Sequence, residues 1–307
     1  MPSPTGGQSA ELEYWIVDVF TNTPLAGNPL AVVTDPVGLS TERMQAIARE
    51  FNLSETTFVQ RRPASVEEAE GVRVRIFTTQ EELPFAGHPT LGTASVLRRS
   101  APETVRNCVV TLALQVGPVP VRFNDQSSDT GSLFGEMTQR DPEFGAELDR
   151  PTVARLVGLP IDDLEPSLSP QVVSTGTAFA IVLLRSADAL ARLNVQQKEA
   201  TQWLRERGAR WFYVLGPTGS QSPAFRARMQ FNGGEDPATG SAAGCAISYL
   251  VAHSAAASDQ QIHVRQGVEI ARPSDLFLAA KRNDSTVTDV RVAGSTVLVA
   301  AGRLFLP

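Results

Sequence analysis

The chain has 307 residues, of which 42% are hydrophobic and 20% charged, so it can bury a sizeable core and is too apolar to be disordered. Lys and Arg number 27 against 33 Asp and Glu, and the net charge of −6 argues against a dedicated surface for nucleic acid or an anionic membrane. Two cysteines, Cys108 and Cys245, are too few for a disulfide scaffold, three histidines form no metal-ligand spacing, and no apolar run approaches the ~18 residues that span a membrane.

In chain order, the opening MPSPTGGQSA lacks the basic and apolar regions of a signal peptide, so residues 1–10 read as a tail and the protein as cytoplasmic. Residues 14–20 (YWIVDVF), rich in β-branched and aromatic types, predict a strand, followed by a turn-rich stretch and a short strand at 30–33. Ser40 or Thr41 caps a helix whose stripe is Met44, Ile47, Ala48 and Phe51, with Asn52 as its stop. Further strands are expected at 56–59, 72–77 and, as one or two pieces, 112–123. The second half carries strand signals at 178–184, 211–215, 225–231, 261–265, 276–280 and 295–301, with weaker helical patterns at 152–157 and from 187 to about 207. The expected class is strand-rich α+β.

An internal repeat organises the chain. Pro84 falls on Pro237, a shift of 153 residues; residues 82–88 (ELPFAGH) then fall on 235–241 (EDPATGS), and Arg73 and Arg75 on Arg226 and Arg228. We read two homologous domains related by a pseudo-twofold, 11–127 and 128–307, with the break in the polar run 124–131. Each copy is a strand, a Pro/Gly loop and a helix. His88 is expected to cap a helix over 89–99 and Ser241 one over 242–252. Gly87 and Gly240, without a Cβ, let a ligand approach the backbone. If the two helix starts face each other, their amides and positive dipole ends converge on one small anion such as a carboxylate. Glu55, His88 and Asp236 have no like residue in the other copy, which marks them as candidates for chemistry; taken singly, each also fits a surface carboxylate, a cap or a turn residue.

At these residues the chain resembles the PhzF family, the phenazine-biosynthesis isomerase-like proteins with a diaminopimelate epimerase-like fold. The resemblance rests on residues 17–21 and 27–29, 52–59 (NLSETTFV), 82–94 (ELPFAGHPTLGTA), 235–242 (EDPATGSA), and 266–267 with 272–274. It implies two pseudo-symmetric domains, each a curved, mostly antiparallel sheet around a central helix, with the last strand returning to the first domain. It also implies a homodimer, and an isomerase that needs no cofactor or metal and moves a proton on a small unsaturated or cyclic carboxylic acid. By the same resemblance Glu55 is the catalytic proton shuttle, and Asp236 and His88 are its catalytic partners. The amides around Gly87, His88, Gly240 and Ser241 bind the substrate carboxylate. Epimerases on this fold use a cysteine pair at the two helix starts; here Ala86 and Thr239 stand there, and Cys245 is expected to be packed rather than reactive. Two other readings are a racemase or epimerase working through Glu55 and Asp236, and a non-catalytic binding protein. No GxxxxGK[ST], GxGxxG or GxSxG pattern is present to suggest a nucleotide enzyme or a serine hydrolase.

Overall fold

The computed structural model describes residues 10–306 except 35, 37, 125–130, 221, 223, 232 and 233. Most of the expected tail and of the polar run at 124–131 lies outside the described residues. The first elements are β1 (Ala10–Val19), β2 (Asn28–Thr34), α1 (Thr41–Phe51), β3 (Glu55–Gln60), α2 (Ala64–Glu70), β4 (Val72–Phe77), β5 (Glu82–Leu83), α3 (Gly87–Ser100), β6 (Val109–Leu114), β7 (Gly117–Phe123) and β8 (Leu133–Thr138). Then come β9 (Glu143–Glu147), α4 (Arg150–Val157), β10 (Gln171–Ser174), β11 (Ala178–Leu183), α5 (Gln197–Arg205), β12 (Trp211–Pro217), β13 (Phe225–Arg228), β14 (Gln230–Phe231), β15 (Gly234–Glu235), α6 (Gly240–Ala252), β16 (Ile262–Gln266), β17 (Ser274–Asn283) and β18 (Thr286–Leu306).

Mixed α/β character is as expected, and the first sheet goes further than curvature. Strands β1, β2, β3, β4, β6, β7, β8 and β18 pair in that order, and β18 pairs again with β1, so eight strands close into a barrel. A barrel of this size has a narrow interior. It holds α3 because that helix is lined with small residues: a Cβ on Gly92 would lie 2.6 Å from Leu30 and 2.8 Å from Val19. Beyond β18 the sheet continues as β17, β16, β13, β12, β11, β10 and β9 and stays open, with α6 packed on β10, β11, β17 and β18. Parallel pairs recur in both halves, β2 with β3 and β4 with β6, then β11 with β12 and β13 with β16. One continuous apolar cluster runs from Leu91 of α3 to Ile247 and Leu250 of α6, which fixes the two helices against each other.

Local signals translate well where they are short-range. Helix α1 starts on the Ser40 hydroxyl, which accepts from Arg43 N, and stops at Asn52 in the left-handed conformation (φ 51°). Three expectations change. The helical stretch from 187 becomes a short 3₁₀ turn (Ala187–Arg192) and then α5. Between them Asn194 N and Gln196 N donate to Val157 O and Leu156 O at the end of α4 instead of continuing a helix. The strand expected at 225–231 breaks at Met229, whose carbonyl accepts from Asp236 N. His88 and Ser241 are not N-caps: the helices begin earlier, at Gly87 and Gly240, with Ala86 and Thr239 at the cap positions. The physical reason is the meeting of the two starts described next.

Candidate active site

Helices α3 and α6 meet head to head. A Cβ on Gly87 would lie 2.5 Å from both Gly240 C and Ser241 N, so the contact is backbone against backbone and only glycine fits. No side chain caps either helix; the Thr239 hydroxyl donates to Asp236 Oδ2 at 2.7 Å instead. Two sets of first-turn amides and two positive dipole ends thus share one place. Two such ends repel each other unless an anion lies between them. The Gly240 peptide is pinned from behind: Gln139 Nε2 donates to Gly240 O at 2.9 Å, and the Thr175 hydroxyl donates to Gln139 Oε1 at 2.6 Å. Gly244 leaves the notch for that amide, since a Cβ there would meet Gln139 Oε1 at 2.0 Å.

The sequence-expected residues gather here. Glu55 opens β3, paired in parallel with Leu30 of β2, and its carboxylate turns to His88. Glu55 Oε2 and His88 Nε2 are 3.3 Å apart, close enough to attract but not aligned as a hydrogen bond, and both atoms are buried without another partner among the described residues. The His88 ring, 3% exposed, is pushed down to about 3 by burial and is neutral. Asp236 precedes the α6 start and is buried; its carboxylate accepts from Asn28 Nδ2 at 2.8 Å and from Thr239. Burial holds both carboxyls above the usual carboxylate range, and Asp236 raises Glu55 further by charge repulsion. Gly87, His88, Gly240 and Ser241 supply the backbone around this pair.

Sequence reasoning gave no role to Asn28, Gln139 or Thr239. Asn28 Nδ2 lies within reach of His88, Asp236 and Ala238 O. Gln266 Nε2 donates to Asp236 O at 2.8 Å while its Oε1 accepts from Thr239 N at 3.1 Å, which fixes the turn into α6. The available signal for Asn28 was a polar residue between Gly27 and Pro29 at the start of a buried strand. Cys245 is buried as expected, and burial raises its thiol to about 11.

A cleft of about 550 Å³, its open mouth included, leads to Glu55, Asp236 and Ser241. Phe179, Trp211 and Phe231 wall it, with rings 5.9 Å and 5.6 Å apart in succession. Glu81 and Arg210 form an ion pair across its mouth, joining the β4–β5 loop to the start of β12. A larger surface groove of about 870 Å³ runs along the outside of β4, but its charged residues are engaged in the Arg62–Glu70 and Arg75–Glu82 pairs and in the Arg73 Nε bond to Gln60 Oε1. No group of three or more His, Cys, Asp or Glu among the described residues could hold a metal ion, and no helix of the described residues is long and apolar enough to cross a membrane.

The family model for phenazine biosynthesis-like proteins (PhzC-PhzF) matches residues 17–302. The trans-2,3-dihydro-3-hydroxyanthranilate isomerase of Pseudomonas aeruginosa is 36% identical over 95% of this chain and 99% of its own length. A Pseudomonas aeruginosa structure described as a "predicted epimerase" superimposes with a TM-score of 0.81 at 35% identity, covering 95% of this chain and 99% of that one. A PhzF-family protein of Bacillus anthracis gives 0.82 at 25% identity, covering 96% and 99%. A probable proline racemase from Agrobacterium radiobacter shares the fold alone, with a TM-score of 0.63 at 11% identity over 95% of this chain and 92% of that one.

Proposed function

The chain belongs to the phenazine biosynthesis-like family and is an isomerase, and from that premise we propose that it moves a proton on a small unsaturated or cyclic carboxylic acid, with Glu55 as the shuttle. The observation that carries the reading is Glu55 Oε2, buried and without a hydrogen-bond partner among the described residues, beside the joined starts of α3 and α6. The amides of Gly87, His88, Gly240 and Ser241 hold the substrate carboxylate. Lying between the two positive dipole ends, that carboxylate offsets their mutual repulsion. Ionised Glu55 then takes a proton from a carbon made acidic by the adjoining unsaturation and returns it to another carbon. One residue acting as base and then acid needs no cofactor. Asp236, held by Asn28 and Thr239, orients the substrate and raises Glu55.

The proposal keeps two homologous units, 11–127 and 128–307, with β18 returning to the first. It is supported by the recurring parallel pairs and by two matching ion pairs, Arg75–Glu82 and Arg228–Glu235. β8 joins the first barrel as well. A cytoplasmic homodimer completes the proposal. A second reading, racemisation or epimerisation with Glu55 and Asp236 as the two acids, is favoured by the raised Asp236 carboxyl and predicts solvent deuterium at the substrate's α-carbon with no double-bond shift.

Proton NMR of trans-2,3-dihydro-3-hydroxyanthranilate in D₂O, with wild type and Glu55→Gln, tests the reading. Double-bond migration by the wild type and a loss of at least about 10²-fold in the variant are expected. A fully active variant refutes Glu55 as the shuttle.

A further inference from the structure

We propose that Asn28 is a positioning residue for the proton transfer: its side-chain amide fixes the neutral His88 ring in the tautomer with hydrogen on Nε2, so that His88 offers Glu55 an N–H and never a lone pair. The proposal rests on the reading of Glu55 as the proton shuttle.

Asn28 opens β2 and its side chain is fully buried. Its Nδ2 lies 2.8 Å from Ala238 O, 2.8 Å from Asp236 Oδ1 and 3.1 Å from His88 Nδ1. A peptide carbonyl can only accept, so the amide must turn N–H groups toward this cluster. The flipped amide would set its oxygen against the carbonyl and the carboxylate oxygen together. The two hydrogens serve three neighbours, Ala238 O and Asp236 Oδ1 being the nearer, so His88 Nδ1 shares one of them; a hydrogen on Nδ1 would itself face an N–H, and Nδ1 therefore accepts. A neutral imidazole carries one hydrogen, which leaves it on Nε2, 3.3 Å from Glu55 Oε2.

The backbone that carries Asn28 is clamped so that this orientation holds. Arg272, from the far half of the chain, donates through Nε to Gly27 O at 2.9 Å and through Nη2 to Ala26 O at 2.9 Å. Its Nη2 also reaches Asp18 Oδ1 at 2.5 Å, and Asp18 Oδ2 accepts from Leu25 N at 2.7 Å.

The tautomer has a chemical consequence. With Nε2 occupied, His88 cannot accept the proton that Glu55 takes from the substrate. Its N–H nitrogen lies 3.3 Å from Glu55 Oε2 and steadies the carboxylate by electrostatic attraction, without an aligned hydrogen bond, and the proton remains on Glu55 until it is delivered to the second carbon. In the other tautomer the Nε2 lone pair would face protonated Glu55 and open a route for that proton away from the substrate.

Long-range ¹H–¹⁵N correlation spectra of the wild-type protein decide the tautomer without any variant. A protonated Nε2 and a bare Nδ1 on His88 are expected; hydrogen on Nδ1, or on both nitrogens, overturns the proposal. Asn28→Asp keeps the side-chain shape but can offer Nδ1 an acceptor. It is expected to turn the ring to the Nδ1–H form, lower kcat by about 10²-fold or more and increase washout of substrate label to solvent. Asn28→Asp with kcat and His88 spectrum unchanged overturns the proposal. Failure of the underlying reading is distinguishable: an active Glu55→Gln removes the shuttle, while the His88 spectrum still reports what Asn28 does.

Discussion

In residues 75–88, Arg75 grips Glu82 through Nε and Nη2 at 2.8 and 2.6 Å; in residues 228–241, Arg228 grips Glu235 through the same two nitrogens at 2.9 and 2.5 Å. Gly87 and Gly240 then start the two helices that meet. Here the likeness ends. Leu83 packs in the apolar core where Asp236 carries a buried carboxyl, and His88 stands where Ser241 does. Glu55 adds a second carboxyl from the barrel side only. The matching residues are those that shape backbone: a bidentate pair that sets the strand-to-loop turn, and a glycine that lets two helix starts touch. The differing residues are those with protons to hold. On the proposed reading, the shared frame cradles the substrate carboxylate and the differing side chains give the chemistry its direction.

The sharpest way to break this comparison is at the shared frame. Gly87→Ala puts a methyl against the Gly240–Ser241 peptide, and neither backbone can yield without separating the helices. It is expected to destabilise the protein by about 1–3 kcal/mol and to abolish carboxylate binding, read by thermal unfolding and calorimetric titration. The next largest effect lies in the differing residues. Base duty needs ionised Glu55, and burial and Asp236 both hold that carboxyl up. The wild-type kcat/KM should therefore rise with pH through a midpoint above the usual carboxylate range. Asp236→Asn removes the repulsion, so that rising limb should move to lower pH even as the rate at its plateau falls; a pH–rate profile of both proteins checks this. The smallest effect belongs to a contact outside the comparison. Glu81→Ala opens the exposed Glu81–Arg210 pair at the cleft mouth and should change unfolding stability by no more than about 1 kcal/mol.

The sequence carried these two regions unevenly. Ser40, Asn52 and the stripe through Met44 and Ile47 mark α1 because caps and periodicity are local properties. The repeat exposed Gly87, Gly240, His88, Ser241, Glu55 and Asp236 because shared and unshared positions can be compared within one chain. Closure of the first sheet was not legible in any local pattern: it depends on β18 pairing with β1 from the opposite end of the chain, and only the family resemblance pointed to the last strand's return to the first domain. Both helix starts were misplaced by two residues because propensity favours Ser as a cap and Pro at the first position. The contact between Gly87 and Gly240 overrides both. Asn28 stayed without a role because its partners, His88 and Asp236, are brought to it only by the fold.

The central claim is that backbone binds and Glu55 reacts. Calorimetric titration of Glu55→Gln with trans-2,3-dihydro-3-hydroxyanthranilate, run beside its proton NMR in D₂O, separates the two. The account predicts binding as tight as in the wild type with no double-bond migration. Loss of binding together with turnover would contradict it, since Glu55 would then be part of what holds the substrate.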